Sequence, residues 1–240
     1  MIIILPSAKL INISSNNPLE SIEEIGRVCH KTENKIEPGS AKNFVQKYAI
    51  DLHHETLLEH VTMTFKVVCD RGVSHELVRH RIATFHQEST RYCRYRDNLT
   101  FIKPLFFKEL PLGEFHSLKE ITSYSNSNPN FDGEQNIIWY NSLLWVSSML
   151  QIETCYIDML NNGLAPQEAR SVLPNSLKTE INLTMNLREL RHFFNLRLAF
   201  AAHPQMIEVA RLMFSIAQEK VPLVFDDISL KFNLIKGVEI

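Results

Sequence analysis

The sequence predicts an α+β fold with a central mixed or antiparallel sheet, flanking helices and one long helix. Three observations carry that expectation. Residues 60–69 and 178–185 alternate apolar and polar side chains, the mark of half-buried strands. An apolar repeat at sevens, threes and fours extends from Gly133 to Asn162, the spacing of one helical face. Strand and helix patterns follow one another without the regular βαβ alternation of a doubly wound sheet.

Taken in order, Met1 to Leu5 reads as a short strand whose alternation continues through Leu10, Ile11 and Ile13. Asn17 is placed to cap a helix with Pro18 in its first turn and Leu19, Ile22, Ile25 and Cys29 inward. Gly39-Ser40 opens a second helix to about Asp51. Val61, Met63, Phe65 and Val67 form the inner side of the next strand, and Gly72 to His80 is expected to be helical. Ser89 to Thr100 reads as loop and strand, and residues 123–133 as a polar, turn-rich separator. The long helix follows, with Ile138, Trp145, Met149, Ile152, Tyr156 and Met159 inward and Gly163 as its stop. Its length suits either an internal core helix or one packed against a partner subunit. A short helix near Gln167 to Val172 precedes the second alternating strand. Asn186 then caps a helix through about Ala201, and Pro204 starts the last one, with Ile207, Ala210, Phe214 and Ala217 inward.

A chain of 240 residues, 45% hydrophobic and 22% charged, can bury one large core or two small ones. Its net charge of −2 excludes a polyelectrolyte binder that tracks duplex backbone. Cys29, Cys69, Cys93 and Cys155 form no CxxC pair and read as reduced thiols, mostly small core residues. The opening MIIILPSAKL is too short for a signal peptide, no run is long enough for a membrane helix, and the cytoplasm is the expected location.

Charge is distributed unevenly. Residues 71–96 hold six arginines and three histidines but no lysine, against Glu76 and Glu88 alone. Arginine in place of lysine favours oriented, bidentate recognition of phosphate or carboxylate. Five more arginines fall in 170–211, leaving only Arg27 outside the two blocks. The blocks either converge on one polyanion pocket or lie on separate faces. In the second block Arg188, Arg191, His192 and Asn195 share one polar helix face. Arg197 lies in line with Phe193 and Phe200. There it either snorkels to solvent or is buried to meet developing negative charge on a substrate.

Other chemistries find little support. His53-His54-Glu55 and Glu59-His60 lack the i, i+4 spacing of HExxH, so loop or ligand contacts are expected there and no metal. Neither a Rossmann nor a Walker glycine pattern is present, and no cysteine stands beside a histidine base in a recognisable motif.

Four blocks in order resemble flavin-dependent thymidylate synthases: HETLLEH at 54–60, RHR-x7-S within RHRIATFHQESTRY at 79–92, ARSVLP at 169–174 and NLRELRHFFNLR at 186–197. AHPQ at 202–205 is a weaker fifth. The resemblance spans roughly residues 20–220 and implies a single domain over 1–240, assembled as a homotetramer with shared active sites. It implies reductive methylation of dUMP to dTMP, with methylenetetrahydrofolate as carbon donor, FAD as hydride carrier, NADPH as reductant and no cysteine nucleophile. Carried over by position, Arg79, His80, Arg81, Thr56, Glu59, Gln87, Asn186, Arg188 and His192 would contact FAD, with Thr32 a further position. Glu76, Arg79, Gln87, Ser89, Arg91, Arg170 and Arg197 would form the dUMP pocket, with Arg91 and Arg170 on the phosphate. Arg197 would be the catalytic residue that polarises the pyrimidine. Gln87 stands where Glu is common and His192 where Asn is often seen. The rival reading is a non-catalytic phosphate or nucleic-acid binder using the Arg79–Arg96 window.

Overall fold

A computed structural model describes residues 1–125 and 133–234. The first elements are β1 (Ile2–Ile4), β2 (Ser7–Ile13), α1 (Pro18–Arg27), α2 (Ser40–Val45), β3 (Thr62–Asp70), α3 (Arg71–Leu77), β4 (Thr84–Gln87), β5 (Thr100–Ile102) and β6 (Gly113–Glu114). Then come α4 (Leu118–Ser125), α5 (Gly133–Asn161), α6 (Pro166–Ala169), β7 (Lys178–Asn186), α7 (Leu187–Arg197), α8 (Pro204–Lys220) and α9 (Pro222–Lys231). The mixed α+β content agrees with the sequence, and most of the separator expected at 123–133 lies outside the described residues. Among the described residues no helix is long and apolar enough to cross a membrane.

Two compact units interleave along the chain. The first comprises Met1–Ser7, Val68–Leu77 and Gln87–Ile181. It contains a three-stranded sheet in the order β5-β1-β6, with β1 parallel to β5 and antiparallel to β6. Ile3, Phe101, Phe107, Phe115, Ile121, Val146, Met149 and Tyr156 form its core.

The inner row of α5 differs from the expected stripe. It runs Ser142, Val146, Met149, Glu153 and Tyr156, while Ile138 is exposed. Hydropathy skips the two polar members: Ser142 donates to the Trp139 carbonyl of its own helix at 2.6 Å, while the partners of Glu153 are distant in sequence. Glu153 accepts from the Met1 amine at 2.8 Å and from the Leu99 amide at 2.6 Å, which makes its burial tolerable. Gly163 follows at φ 96°, a conformation glycine adopts without a Cβ clash.

The second unit comprises Ala8–Val67, Val78–His86 and Asn182–Ile240. It holds most of β2, β3, β7 and β4, which neighbour one another in that order. Val61, Met63, Phe65, Val67, Leu183 and Met185 are buried, as the alternation requires. Phe193 and Phe194 of α7 pack with Phe214 of α8 and Phe225 of α9, with ring centroids 5.1 Å apart for Phe194–Phe214 and 5.6 Å for Phe194–Phe225. That cluster fixes α7, the element that carries the second block's site residues.

Several local expectations need correction. Asn17 precedes α1, but its side chain donates to Glu20 at 2.9 Å and makes no cap bond to the backbone. Beyond Val45 the second helix widens into a π-helix, Gln46–Asp51. Helix α3 stops at Leu77, three residues short of the expected end. Helix α7 stops at Arg197, and α8 is followed by α9, so Pro204 does not begin the last helix. The cysteines are less buried than expected: Cys69 is buried and Cys93 partly so, while Cys29 and Cys155 are exposed.

Candidate active site

After α3 the chain turns at Val78-Arg79 and bends through 81–83 before β4 begins. Arg79 and Arg81 are exposed, while His80 between them is 5% exposed. His80 Nε2 accepts from Arg197 Nε at 3.0 Å, and its Nδ1 lies 3.4 Å from Glu189 Oε1. The Phe193 ring meets the imidazole edge-on at 4.9 Å. Burial, then the positive charge of Arg197 and the neighbouring His192, pushes the His80 pKa down to about 4. The ring is therefore neutral near pH 7.

These residues open onto a cavity of about 770 Å³ in the second unit. Arg79, Arg81, Arg188, Arg191 and Arg197 all line it, together with Glu59, Asn186, Glu189 and His192. Members of both arginine blocks thus converge, as one of the two sequence alternatives has it. Asn186 caps α7 as expected, its Oδ1 accepting from the Glu189 amide at 2.8 Å. That use of the oxygen leaves the amide nitrogen of Asn186 as its donor end. The positive end of the α7 dipole adds to the guanidinium field.

Neighbours already orient the cations. Arg188 donates to Glu59 at 2.5 Å and lies 3.3 Å from Glu55. Both acids sit on a six-residue 3-10 turn, Glu55–His60, an unusually long run of that geometry. Arg191 does not belong to a solvated polar face. It is buried, holds both carboxylate oxygens of Asp227 at 2.7 and 2.6 Å, and also donates to the Val224 carbonyl. Arg197 is half-buried, and the aromatic stripe expected beside it is incomplete because Phe200 is fully exposed.

Among the described residues, His80, Glu189 and His192 are the group whose ligand atoms fall within 4.8 Å of one another. A cation there would sit beside the Arg197 guanidinium in a cavity already lined by arginines, which opposes its binding. Thr56 lines a different cavity of the same unit, about 450 Å³, together with Thr32, Arg27, Lys35 and His54.

The remaining expected residues lie in the first unit. Gln87, at the end of β4, donates to Ser74 Oγ at 2.9 Å and Thr179 Oγ1 at 3.1 Å. Ser89 starts a tight turn, its carbonyl accepting from Tyr92 and Cys93 at 3.1 and 2.9 Å. Its hydroxyl accepts from the Arg91 amide at 3.3 Å. Arg91 lies over the Tyr92 ring at 5.4 Å, and Arg170 approaches the buried Thr90 hydroxyl at 3.4 Å. Glu76 is half-buried on α3. Behind the turn Glu88 accepts from the Tyr95 hydroxyl at 2.6 Å and from Lys178 at 3.1 Å. Burial and that hydrogen bond push the Tyr95 phenol well above its ordinary pKa.

Sequence reasoning missed Glu189 as a site residue. An acid three residues past an N-cap reads as helix-end stabilisation, and only the fold shows that His80 comes back to it.

Fold and site together define an α+β protein with a preformed cavity lined by five guanidinium groups. Comparison with known proteins then places the chain. The family model described as thymidylate synthase complementing protein matches residues 9–223. The flavin-dependent thymidylate synthase of Pyrococcus furiosus is 33% identical, over 84% of this chain and 74% of that one. The enzyme of the same name from Pyrococcus horikoshii is 32% identical, over 88% and 79% of the two chains. The chain belongs to the flavin-dependent thymidylate synthase family.

Solved structures share the fold. The UMP/dUMP methylase PolB of Streptomyces cacaoi, bound with 5-Br dUMP, superposes with a TM-score of 0.71 at 23% identity, covering 96% of this chain and 97% of that one. Thymidylate synthase X of Helicobacter pylori, with FAD and dUMP, gives 0.66 at 21% identity, covering 93% and 98%.

Proposed function

We propose that the chain converts dUMP to dTMP by reductive methylation, using FAD, with methylenetetrahydrofolate as carbon donor and NADPH as reductant. One observation carries the reading: guanidiniums from both arginine blocks meet around a neutral histidine in a single cavity, in a chain of this family. The acids interleaved among them, Glu55, Glu59 and Glu189, and the net charge of −2 count against the nucleic-acid alternative.

The second unit's donor set suits a diphosphate-bearing cofactor. Arg79, Arg81 and Arg188 supply forked donors, Asn186 an amide, and α7 its positive end. A cavity of about 770 Å³ is also large enough for a ligand of cofactor size. Those residues, with His80, Glu59 and His192 beside them and Thr56 on the neighbouring cavity, would hold FAD, which when bound supplies the hydride. Gln87 would serve both cofactor and nucleotide.

Glu76, Ser89, Arg91 and Arg170 would hold dUMP, with the two guanidiniums on its phosphate and the Ser89 hydroxyl as a hydrogen-bond partner. Arg197 would meet negative charge as it develops on the pyrimidine, a role for a donor whose direction is fixed before reaction. A single functional domain, a homotetramer with shared sites and a cytoplasmic location belong to the same reading. The apolar row Ile137, Tyr140 and Leu144, 63%, 61% and 49% exposed on α5, supports the assembly.

The test is direct. Purified protein should take up FAD and turn yellow, bleach with NADPH faster when dUMP is present, and form dTMP. Arg197→Ala should keep FAD while dTMP formation falls by about 10²–10³ or more. A chain that binds no FAD, or an Arg197→Ala variant with unchanged turnover, overturns the assignment.

A further inference from the structure

We infer that Glu189 is a positioning residue for Arg197, acting through His80. A guanidinium only donates, so the 3.0 Å bond from Arg197 Nε requires a bare lone pair on His80 Nε2. A neutral imidazole carries one proton, which must then be on Nδ1. That atom lies 3.4 Å from Glu189 Oε1, a polar contact longer than a well-formed hydrogen bond. Glu189 is 6% exposed and offers an acceptor oxygen whether or not it is ionised, so it favours this tautomer over the one that would aim a proton at Arg197.

Neighbouring constraints reinforce the chain of contacts. Phe193 holds the ring plane edge-on, and Asn186 anchors the Glu189 backbone at the start of α7. Glu189, His192, Phe193 and Arg197 all project from this one helix, and His80 comes from the Val78–His86 segment. Burial and the charge of Arg197 keep His80 from taking a second proton near neutral pH, which would break the contact. Glu189 thus sets a tautomer, the tautomer sets an acceptor, and the acceptor sets the direction of a guanidinium.

The inference rests on the proposed reaction for its kinetic readout but not for its structural one. Solid-state nitrogen NMR of the histidine-labelled holoprotein should show His80 with a protonated Nδ1 and an unprotonated Nε2. In Glu189→Ala that preference should weaken. A protonated Nε2 in the unsubstituted protein overturns the inference whether or not dTMP is formed, whereas an inactive protein with the expected tautomer counts only against the reaction.

Kinetically, Glu189→Ala should lower kcat about 10-fold or more while FAD content and the KM for dUMP stay within about twofold. Glu189→Gln is the near-isosteric second variant should the alanine protein fold poorly. It should show a smaller loss of kcat, because an amide can still accept from Nδ1. The double variant Glu189→Ala, Arg197→Ala should be no slower than Arg197→Ala alone, since one acts through the other. Multiplying losses, or a Glu189→Ala kcat equal to the unsubstituted value, would show that Glu189 serves only packing.

Discussion

The cavity beside α7 and the Gln87–Arg91 turn both present arginines, yet they hold them by opposite means. In the cavity Arg188 is matched by Glu55 and Glu59, and Arg191 by Asp227. At the turn Arg91 lies over an aromatic face and Arg170 approaches a hydroxyl, and among the described residues neither is paired with a carboxylate. Carboxylates fix direction but offset charge. Neutral partners fix direction less tightly and leave the cation to be met by a ligand. By that logic the turn is the better seat for a phosphate dianion, and the cavity the better frame for a large cofactor that needs shaped polar walls.

The largest effect on ligand affinity should come from testing the turn. With Arg170 on the phosphate as proposed, its removal takes away a charge-assisted contact of about 1.5–3 kcal/mol, roughly a 10- to 150-fold loss of dUMP affinity. Titration of Arg170→Ala holoprotein with dUMP should show that loss, shrinking as ionic strength rises, with FAD uptake unchanged. The contrast breaks if Arg170→Ala binds dUMP normally while Arg188→Ala takes the loss, because the phosphate would then belong to the cavity.

How far these regions could be read from sequence follows the same division. The two half-buried strands and the Asn186 cap were readable because their signals are local: a period of two, and a polar side chain one residue before a helix. The row Ser142, Glu153 of α5 was not, because the Met1 amine and Leu99 amide that bind Glu153 lie far away in the chain. Arginine clustering pointed to the site, but it treated Arg188 and Arg191 alike on one helix face. Only tertiary structure separates them, since Asp227 arrives from α9, 36 residues on. His80 is the extreme case. Helical periodicity continues through it, whereas the backbone leaves α3 at Leu77 and the ring meets Glu189 and Arg197, over a hundred residues later in the chain.

An intermediate effect should come from Asp227→Asn. Arg191 is buried, and half of the Asp227 carboxylate is solvated, so the substitution leaves a buried guanidinium facing a neutral amide. The expected cost is about 1–3 kcal/mol of stability, seen as a lower urea midpoint with unchanged slope. Glu59→Gln breaks an exposed pair and should change stability by less than about 0.5 kcal/mol. Equal costs for the two would erase the distinction between a guanidinium that anchors α7 and one presented to a ligand.

The remaining effect is a pH dependence confined to the cavity. His80 has its folded pKa lowered from 6.5 to about 4, so between those values the unfolded chain binds a proton that the folded chain refuses. Stability should therefore rise with pH across that window and level off above it. Glu189, whose carboxyl is pushed up by burial against the opposing pull of His192, contributes with the opposite sign, since the folded state takes its proton first. The two separate by difference: subtracting the pH profile of His80→Gln from that of the unsubstituted protein should leave a positive slope between about pH 4 and 6.5. At the turn, burial works against the Lys178 ammonium, but Glu180 and Glu88 hold its pKa above its ordinary value, so the cation there does not titrate in this range. Substituting Lys178 should accordingly leave the slope in place. A profile for His80→Gln that retains the full slope would mean that the imidazole is not held neutral by burial and the Arg197 charge, and the cavity would lose the feature that sets it apart from the turn.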